Sequence, residues 1–153
     1  SERSPEEKEL FALLDSVKVH AINPDNIQEH IRKKFVMISA TATGTSYFNQ
    51  TVGDALTDHP TEMRALIEEL CSLFQSLGYD LGEDAVERTI ERQTFMIPTS
   101  TSSMHVDFMA GRPTELENLT GYVVRTARAH GLSLPTYEKM YEALASQPYP
   151  PAL

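Results

Sequence analysis

The sequence predicts an all-α fold, a helical bundle preceded by one short helix–strand unit. Three observations carry this. From Pro24 onward, apolar residues recur at spacings of three and four in nearly every segment. Helix starts and stops are marked by Pro, Ser or Thr at one end and Gly at the other. Period-two alternation occurs in one place only, Val17 to Ile22 within "SVKVHAI".

Residues 5–15, "PEEKELFALLD", read as a helix with Pro5 at its first position and Leu10, Leu13 and Leu14 on one face. Val17–Ile22 reads as a strand. "NPDN" (23–26) is a break and a helix start. The first long helix is expected from about Pro24 to Phe48. "HPTEMRALIEELCSLFQSLG" follows, with Met63, Leu66, Ile67, Leu70, Leu73, Phe74 and Leu77 as its stripe and Gly78 as its stop. "GEDAVERTIERQTFMIP" reads as a more exposed helix ended by Pro98, "TSTSS" (99–103) as a hydroxyl-rich loop, and "SMHVDFMAG" as a short helix closed by Gly111. In "TELENLTGYVVRTARAHG" the Thr114/Glu117 spacing is that of a capping box, and Gly131 ends the helix. "PTYEKMYEALAS" is the last helix, with Tyr137, Met140, Tyr141 and Leu144 inward. The tail "QPYPPAL" cannot continue it. A lone strand has no sheet to join. Residues 1–23 therefore read as the remnant of a preceding α/β domain, residues 24–153 as a helical domain, and the chain as a fragment or trimmed domain.

The bulk numbers restrict function. With 153 residues the chain can bury one real core. A net charge of −9 argues against a nucleic-acid partner, which needs a basic face. No apolar run is long enough to span a membrane. The polar, acidic opening is no secretory signal. The single Cys71, read as a buried helical thiol, permits no internal disulfide and fits a reducing, cytoplasmic setting. The five His residues show no metal-ligand spacing. The seven glycines, read as caps and turns, form no G-x-G-x-x-G or P-loop. A nucleotide site inside the chain is not expected.

Three features carry candidate chemistry. On the long helix, Ile27, Ile31, Phe35, Ile38 and Ala42 form a stripe, and Lys34 falls on it while Arg32 and Lys33 point away. A lysine there is either a partly desolvated proton donor or one that snorkels to water at the stripe's edge. Glu115 lies in the expected first turn after Thr114. It is either a carboxylate favoured by a helix N-terminus or an acceptor for a ligand hydroxyl. The loop Thr99–Ser103 is either an ordinary cap or an anion cradle.

At these residues a family resemblance enters. "SSMHVDFMAGRPTELENLTGYVVRTARAHGLSLPTYEKMYEAL" resembles the C-terminal domain of the ketopantoate reductases (2-dehydropantoate 2-reductases). Ser102, Ser103, Met104, Asp107, Gly111, Arg112, Thr114, Glu115, Gly121, His130, Gly131 and Pro135 match in order. "IRKKFVMISATATGT" resembles the family's lysine-bearing helix, placing Lys34 on the family lysine and Thr45 on a family Thr. The resemblance spans about residues 5–145. It implies a helical bundle similar to the C-terminal domain of 6-phosphogluconate dehydrogenase, and a missing NADPH-binding Rossmann domain of which residues 1–23 would be the last pieces. It implies reduction of a small 2-oxo acid, ketopantoate to pantoate in pantothenate biosynthesis, with Lys34 donating the proton. Ser103 would bind the carboxylate, and Glu115 would position the substrate hydroxyl and Lys34. Ser100 and Thr45 complete the expected substrate site. The family's Asn residues four and eight positions after the lysine, and three before the Ser, are here Ile38, Ala42 and Ser100. The expected pocket is thus more apolar, with Thr41, Thr45 or Ser39 as substitute contacts. The alternative is a helical dimerisation or interaction module that has lost catalysis, or a domain that reduces a different 2-oxo acid, and a homodimer through the helical domain is compatible with each reading. Asp107 and Arg112 match the pattern without an assigned role, and His105 reads as a surface or packing residue.

Overall fold

The computed structural model describes residues 4–22 and 24–147 of the chain. Helix α1 (Pro5–Ser16) opens on a capping box: Ser4 Oγ accepts from the Glu7 amide, and the Glu7 carboxylate accepts from the Ser4 amide. None of its residues is buried, and Leu10 and Leu13 face outward. The strand expected at Val17–Ile22 does not form. Residues 17–18 turn, with Lys18 at φ 59°, and 19–22 run irregularly. Alternation supplies the two faces of a strand but not its ladder, and no strand among the described residues offers one.

The body is built around α2 (Ile27–Phe48). Asn26 caps its start, accepting from the Glu29 amide at 3.2 Å, and Asn49 in the left-handed region ends it. Residues 39–46 are all buried. Every one is Ser, Ala, Thr or Gly, so helices can close in on α2 from all sides. At Gly44 a Cβ would collide with Met63. The expected stripe holds at Ala42 and at half-buried Phe35, which packs edge-on against Phe74 and Tyr122. Ile27, Ile31 and Ile38 are exposed, and the core side of α2 begins at Val36 and Ala40 instead. The Ile27, Ile31 and Ile38 side chains are left uncovered, so their periodicity marks an exposed face.

Helix α3 (Val52–Asp58) had no signal beyond its Thr51 cap. Its first amides donate to the 98–100 loop, Val52 to Ser100 O and Gly53 to Pro98 O, both at 2.9 Å. In α4 (Pro60–Ser76) the predicted stripe is buried from Met63 to Phe74, and Gly78 at φ 80° follows its end. Cys71 is half-buried rather than buried, and partial burial with nearby Glu68 pushes its thiol up to about 11. Helix α5 (Ala85–Thr94) is shorter than predicted at both ends and leaves Phe95 and Ile97 exposed. Helix α6 (Ser103–Met109) is capped by Ser102 and ended by Gly111 at φ 63°. The Asp107–Arg112 ion pair at 2.7 Å fastens that turn, which gives these two residues a structural role.

The continuous helix expected over 114–131 is divided. A bend at Glu115 leads into a π turn, Glu117–Gly121, and only then into α7 (Tyr122–Ala129). The Gly121 amide steps back five residues to Leu116 O at 2.8 Å. The Glu117 carbonyl also accepts from Arg125 Nη2 at 2.7 Å. Arg125 also pairs with the Glu117 carboxylate, which accepts from Tyr141 Oη at 2.8 Å. Glu117 is thus used to hold the π turn. Helix α8 (Pro135–Ala145) buries Tyr137, Met140 and Leu144, while Tyr141 is half-buried. The amides of Thr136 and Tyr137 at its start donate to the Glu69 carboxylate. The tail from Pro148 lies outside the described residues.

The main core joins Val36 and Ala40 to Leu66, Ile67 and Leu70 of α4, Val123, Val124 and Ala127 of α7, and Tyr137 of α8. A smaller cluster, Ala42, Met104, Leu116 and Leu144, ties α2 to α6 and to the bend before the π turn. No helix among the described residues is long and apolar enough to cross a membrane.

Candidate functional site

One face of α2 passes beneath the α6 N-terminus and the 115–119 bend, and a cavity of about 290 Å³ opens there. Its floor is Met37, Ile38, Thr41 and Ala42, at helical spacings of three and four. Ser102 and Ser103 form one rim, Glu115 and Leu119 the other, and Met96 closes a side. The volume is at the lower end for a small-molecule pocket.

The predicted residues separate into two groups. Ser103 and Glu115 line this cavity together, and both are exposed. Among the described residues, neither side chain makes a hydrogen bond or ion pair; Glu115 is fixed by its carbonyl, which accepts from the Asn118 and Leu119 amides. It sits in the bend before the π turn rather than in a helical first turn. Lys34 is exposed one turn before Ile38 and lines the adjoining trough, with Met37 as the shared wall. It too has no ion pair or hydrogen bond among the described residues.

The other hydroxyls are committed to the fold. Thr45 Oγ1 is fully buried, donates to Thr41 O at 2.8 Å and lies 2.9 Å from Ser102 Oγ. Thr45 therefore supports the α6 cap from behind and lines no wall of the cavity. Ser100 Oγ donates to Ile97 O at 2.6 Å and also stands off the cavity. Ser39 pairs with Tyr137 Oη in the core. Thr41 does reach the floor, but its hydroxyl donates to Met37 O and accepts from Gln93 Nε2. His105 is a packing residue: Nδ1 meets Thr101 Oγ1 at 2.6 Å and Nε2 meets Asn49 Oδ1 at 2.8 Å. Burial holds its imidazole below the usual histidine range.

Ile38 and Ala42, the positions read as departures from the family pattern, both line the cavity floor. Two amide-bearing side chains would have pointed there. The sequence reading missed Met37 and Leu119, although Met37 lies four residues before Thr41 on the same face. Met96 follows α5 in an irregular segment whose direction no local periodicity encodes.

A larger cavity of about 700 Å³ lies between α4 and the 78–86 turn. None of the predicted residues lines it, and its one thiol, Cys71, is held protonated at neutral pH. Size therefore does not select the site; the free polar groups do.

The glycines form no dinucleotide cradle among the described residues. Gly78, Gly82, Gly111 and Gly131 take positive φ near helix ends or in turns, while Gly44, Gly53 and Gly121 lie within helices. No strand–glycine loop–helix unit occurs among the described residues. Nor does any group of three or more His, Cys, Asp or Glu that could hold a metal.

The family model described as ketopantoate reductase PanE/ApbA C terminal matches residues 26–147. The 2-dehydropantoate 2-reductase of Salmonella typhimurium is 29% identical over 118 residues, 77% of this chain and 39% of that protein. The crystal structure of 2-dehydropantoate 2-reductase from Porphyromonas gingivalis superposes with a TM-score of 0.74 at 36% identity, covering 95% of this chain and 44% of that one. A D-mandelate dehydrogenase, solved with NADH and anilino(oxo)acetate, shares the fold at a TM-score of 0.73 and 17% identity, over 92% of this chain and 47% of that one. The chain thus spans less than half the length of these relatives.

Proposed function

The chain belongs to the ketopantoate reductase C-terminal family, and from that premise we propose that it is the substrate-holding, proton-donating part of an NADPH-dependent 2-oxo acid reductase. What supports this reading is the division of polar groups. Ser103, Glu115 and Lys34 keep free side-chain heads around two adjoining cavities, while the neighbouring hydroxyls are used up by the fold.

In this proposal Ser103 donates a hydrogen bond to the substrate carboxylate. Glu115 accepts one from a substrate hydroxyl. The carbonyl carbon would take its hydride from NADPH, bound mainly by a preceding domain. Lys34 gives its ammonium proton to the carbonyl oxygen and is reprotonated from water. The residues 1–23 would belong to the preceding Rossmann domain, and such a reductase would work in the cytoplasm.

The substrate follows from the floor. Met37, Ile38, Ala42 and Leu119 present methyl and methylene groups, and Thr41 has no free hydroxyl proton. A 2-oxo acid with a branched apolar side chain suits this surface. Ketopantoate, with two methyl groups and a hydroxyl for Glu115, is the specific assignment. The test is NADPH oxidation by the full-length product of the gene that encodes this chain, with ketopantoate and with a 2-oxo acid lacking the hydroxyl. Ketopantoate should be preferred, and Lys34→Ala should lower kcat by about 10²–10⁴, the worth of a general acid. An active parent whose Lys34→Ala form keeps full rate would remove Lys34 from the mechanism.

A second reading, a helical interaction or dimerisation module, draws on the exposed apolar faces. Leu10 and Leu13 of α1, and Ile27 and Ile31 of α2, are each more than half exposed. Joined into one patch, such residues would suit a contact with another domain or chain. Light scattering over a wide concentration range addresses it, and a strict monomer counts against self-association.

A further inference from the structure

Lys34 stands in a trough of its own between α2 and α5. The α2 wall is His30, Lys33, Lys34 and Met37, and the α5 wall is Ala85, Arg88, Thr89 and Arg92. Both sets have the i, i+3, i+4, i+7 spacing, so two helix faces meet edge to edge along the trough. Four cations line about 450 Å³ and no carboxylate does, in a chain whose net charge is −9. Like charges gathered this way repel one another and weaken the fold unless an anion neutralises them.

The neutralisation within the chain is partial. Lys33 pairs with Glu29, one turn back along α2. Arg88 pairs with Asp84 at 2.6 Å, one turn back along α5. Neither acid lines the trough. Lys34 and Arg92 have no hydrogen bond or ion pair among the described residues. The Lys34 ammonium and the planar Arg92 guanidinium thus line one trough without a counter-charge, alongside Met37 and Thr89.

We propose that the α2–α5 trough is a binding site for a small phosphate-bearing anion carrying adjacent phosphate groups, gripped by Arg92 with Arg88 and Lys33 flanking, while Lys34 lines the end next to the substrate cavity. The chemistry selects phosphate. A guanidinium grips two phosphate oxygens at once, and the remaining cations are spread along the trough rather than gathered at a point, which suits an extended charge. A groove of about 450 Å³ suits a small molecule rather than a membrane, and the acidic remainder of the surface would repel a nucleic acid. The site stands whether or not the chain reduces a 2-oxo acid, because binding is read without turnover.

Calorimetric titration of the protein with inorganic pyrophosphate tests it, with ADP as a second arm. Saturable one-to-one binding is expected. Equal affinity for the two identifies the phosphates alone as the ligand, and tighter binding of ADP adds a contribution from its nucleoside; both outcomes support the site. Arg92→Ala should weaken pyrophosphate by about tenfold or more, the loss of a charge-assisted contact. Arg92→Lys should recover part of it, since the charge stays and the fork is lost. Circular dichroism of each variant establishes that it is folded. Absence of binding by either ligand, or unchanged affinity in a folded Arg92→Ala protein, overturns the proposal.

Discussion

The hydrogen bond between Thr43 and Thr120 joins α2 to the π turn that follows Glu115, so it should be felt in stability and at the site together. The two Oγ1 atoms lie 2.7 Å apart, and both residues have no exposed surface. Thr43→Val removes one hydroxyl with almost no change of shape and leaves the other buried without its partner. Such an orphaned group costs about 1–3 kcal/mol, whereas replacing both partners is nearly neutral. Each single variant is therefore expected to lose about 1–2 kcal/mol, and the Thr43→Val/Thr120→Val double variant less than the two losses combined, with a coupling of at least about 1 kcal/mol. At about 2–4 °C per kcal/mol for a chain of this size, each single Val lowers Tm by several degrees. Urea unfolding of the four proteins gives the cycle. Strict additivity would show that the two hydroxyls do not meet, and with it the seating of the π turn on α2 would fall.

Three further outcomes follow from the same contacts. Replacing Gly53 by Ala places a Cβ at 2.8 Å from Pro98 Cβ and 2.9 Å from Pro98 O, so the 98–100 loop must move. The overpacking cost of about 1–3 kcal/mol exceeds the helix-propensity gain of about 1 kcal/mol, and Tm should fall; a rise in Tm would contradict that packing. Burial lowers the folded pKa of His105, so the unfolded chain binds the extra proton first as pH falls below the ordinary histidine value. The neutral ring's advantage is fully present above that value and is lost as pH drops toward the folded pKa. His105→Gln should therefore lose less stability than the parent between pH 7.5 and 5, measured by urea unfolding at each pH, and equal losses would contradict a buried neutral imidazole. Ser103→Ala in the full-length protein should raise KM for ketopantoate more than it lowers kcat, because a carboxylate contact is made equally before and during reduction; a fall in kcat alone would assign Ser103 a different task.

Most of the bundle was legible because α4 and α8 write their burial as apolar stripes with clear ends. Helix α2 was legible in extent and misleading in orientation. Its buried segment, 39–46, is all small residues, which no hydrophobic period picks out, while its visible Ile stripe faces outward. The segment Val17–Ile22 has the alternation of a strand and finds no partner strand among the described residues. The π turn was hidden because "ELENLTGYVV" obeys helical spacing, and only the later Arg125 and Tyr141 reveal why one residue is looped out. At the site, the family resemblance alone joined Ser103 and Glu115, which line one cavity with Ile38 and Ala42 beneath them. Which hydroxyls stay free was not legible. Thr45, Ser100 and Ser39 look equivalent in sequence, and only the three-dimensional partners show that the fold has claimed them.

The central claim is that Lys34, Ser103 and Glu115 act on one bound 2-oxo acid. A crystal structure of the full-length protein with pantoate tests it most directly. The account predicts pantoate on the Ile38–Ala42 floor, its carboxylate and a hydroxyl within about 3.2 Å of Ser103 Oγ and the Glu115 carboxylate, and Lys34 Nζ within the same reach of its 2-oxygen. Pantoate bound elsewhere, or seated there with Lys34 directed away from it, would contradict the account.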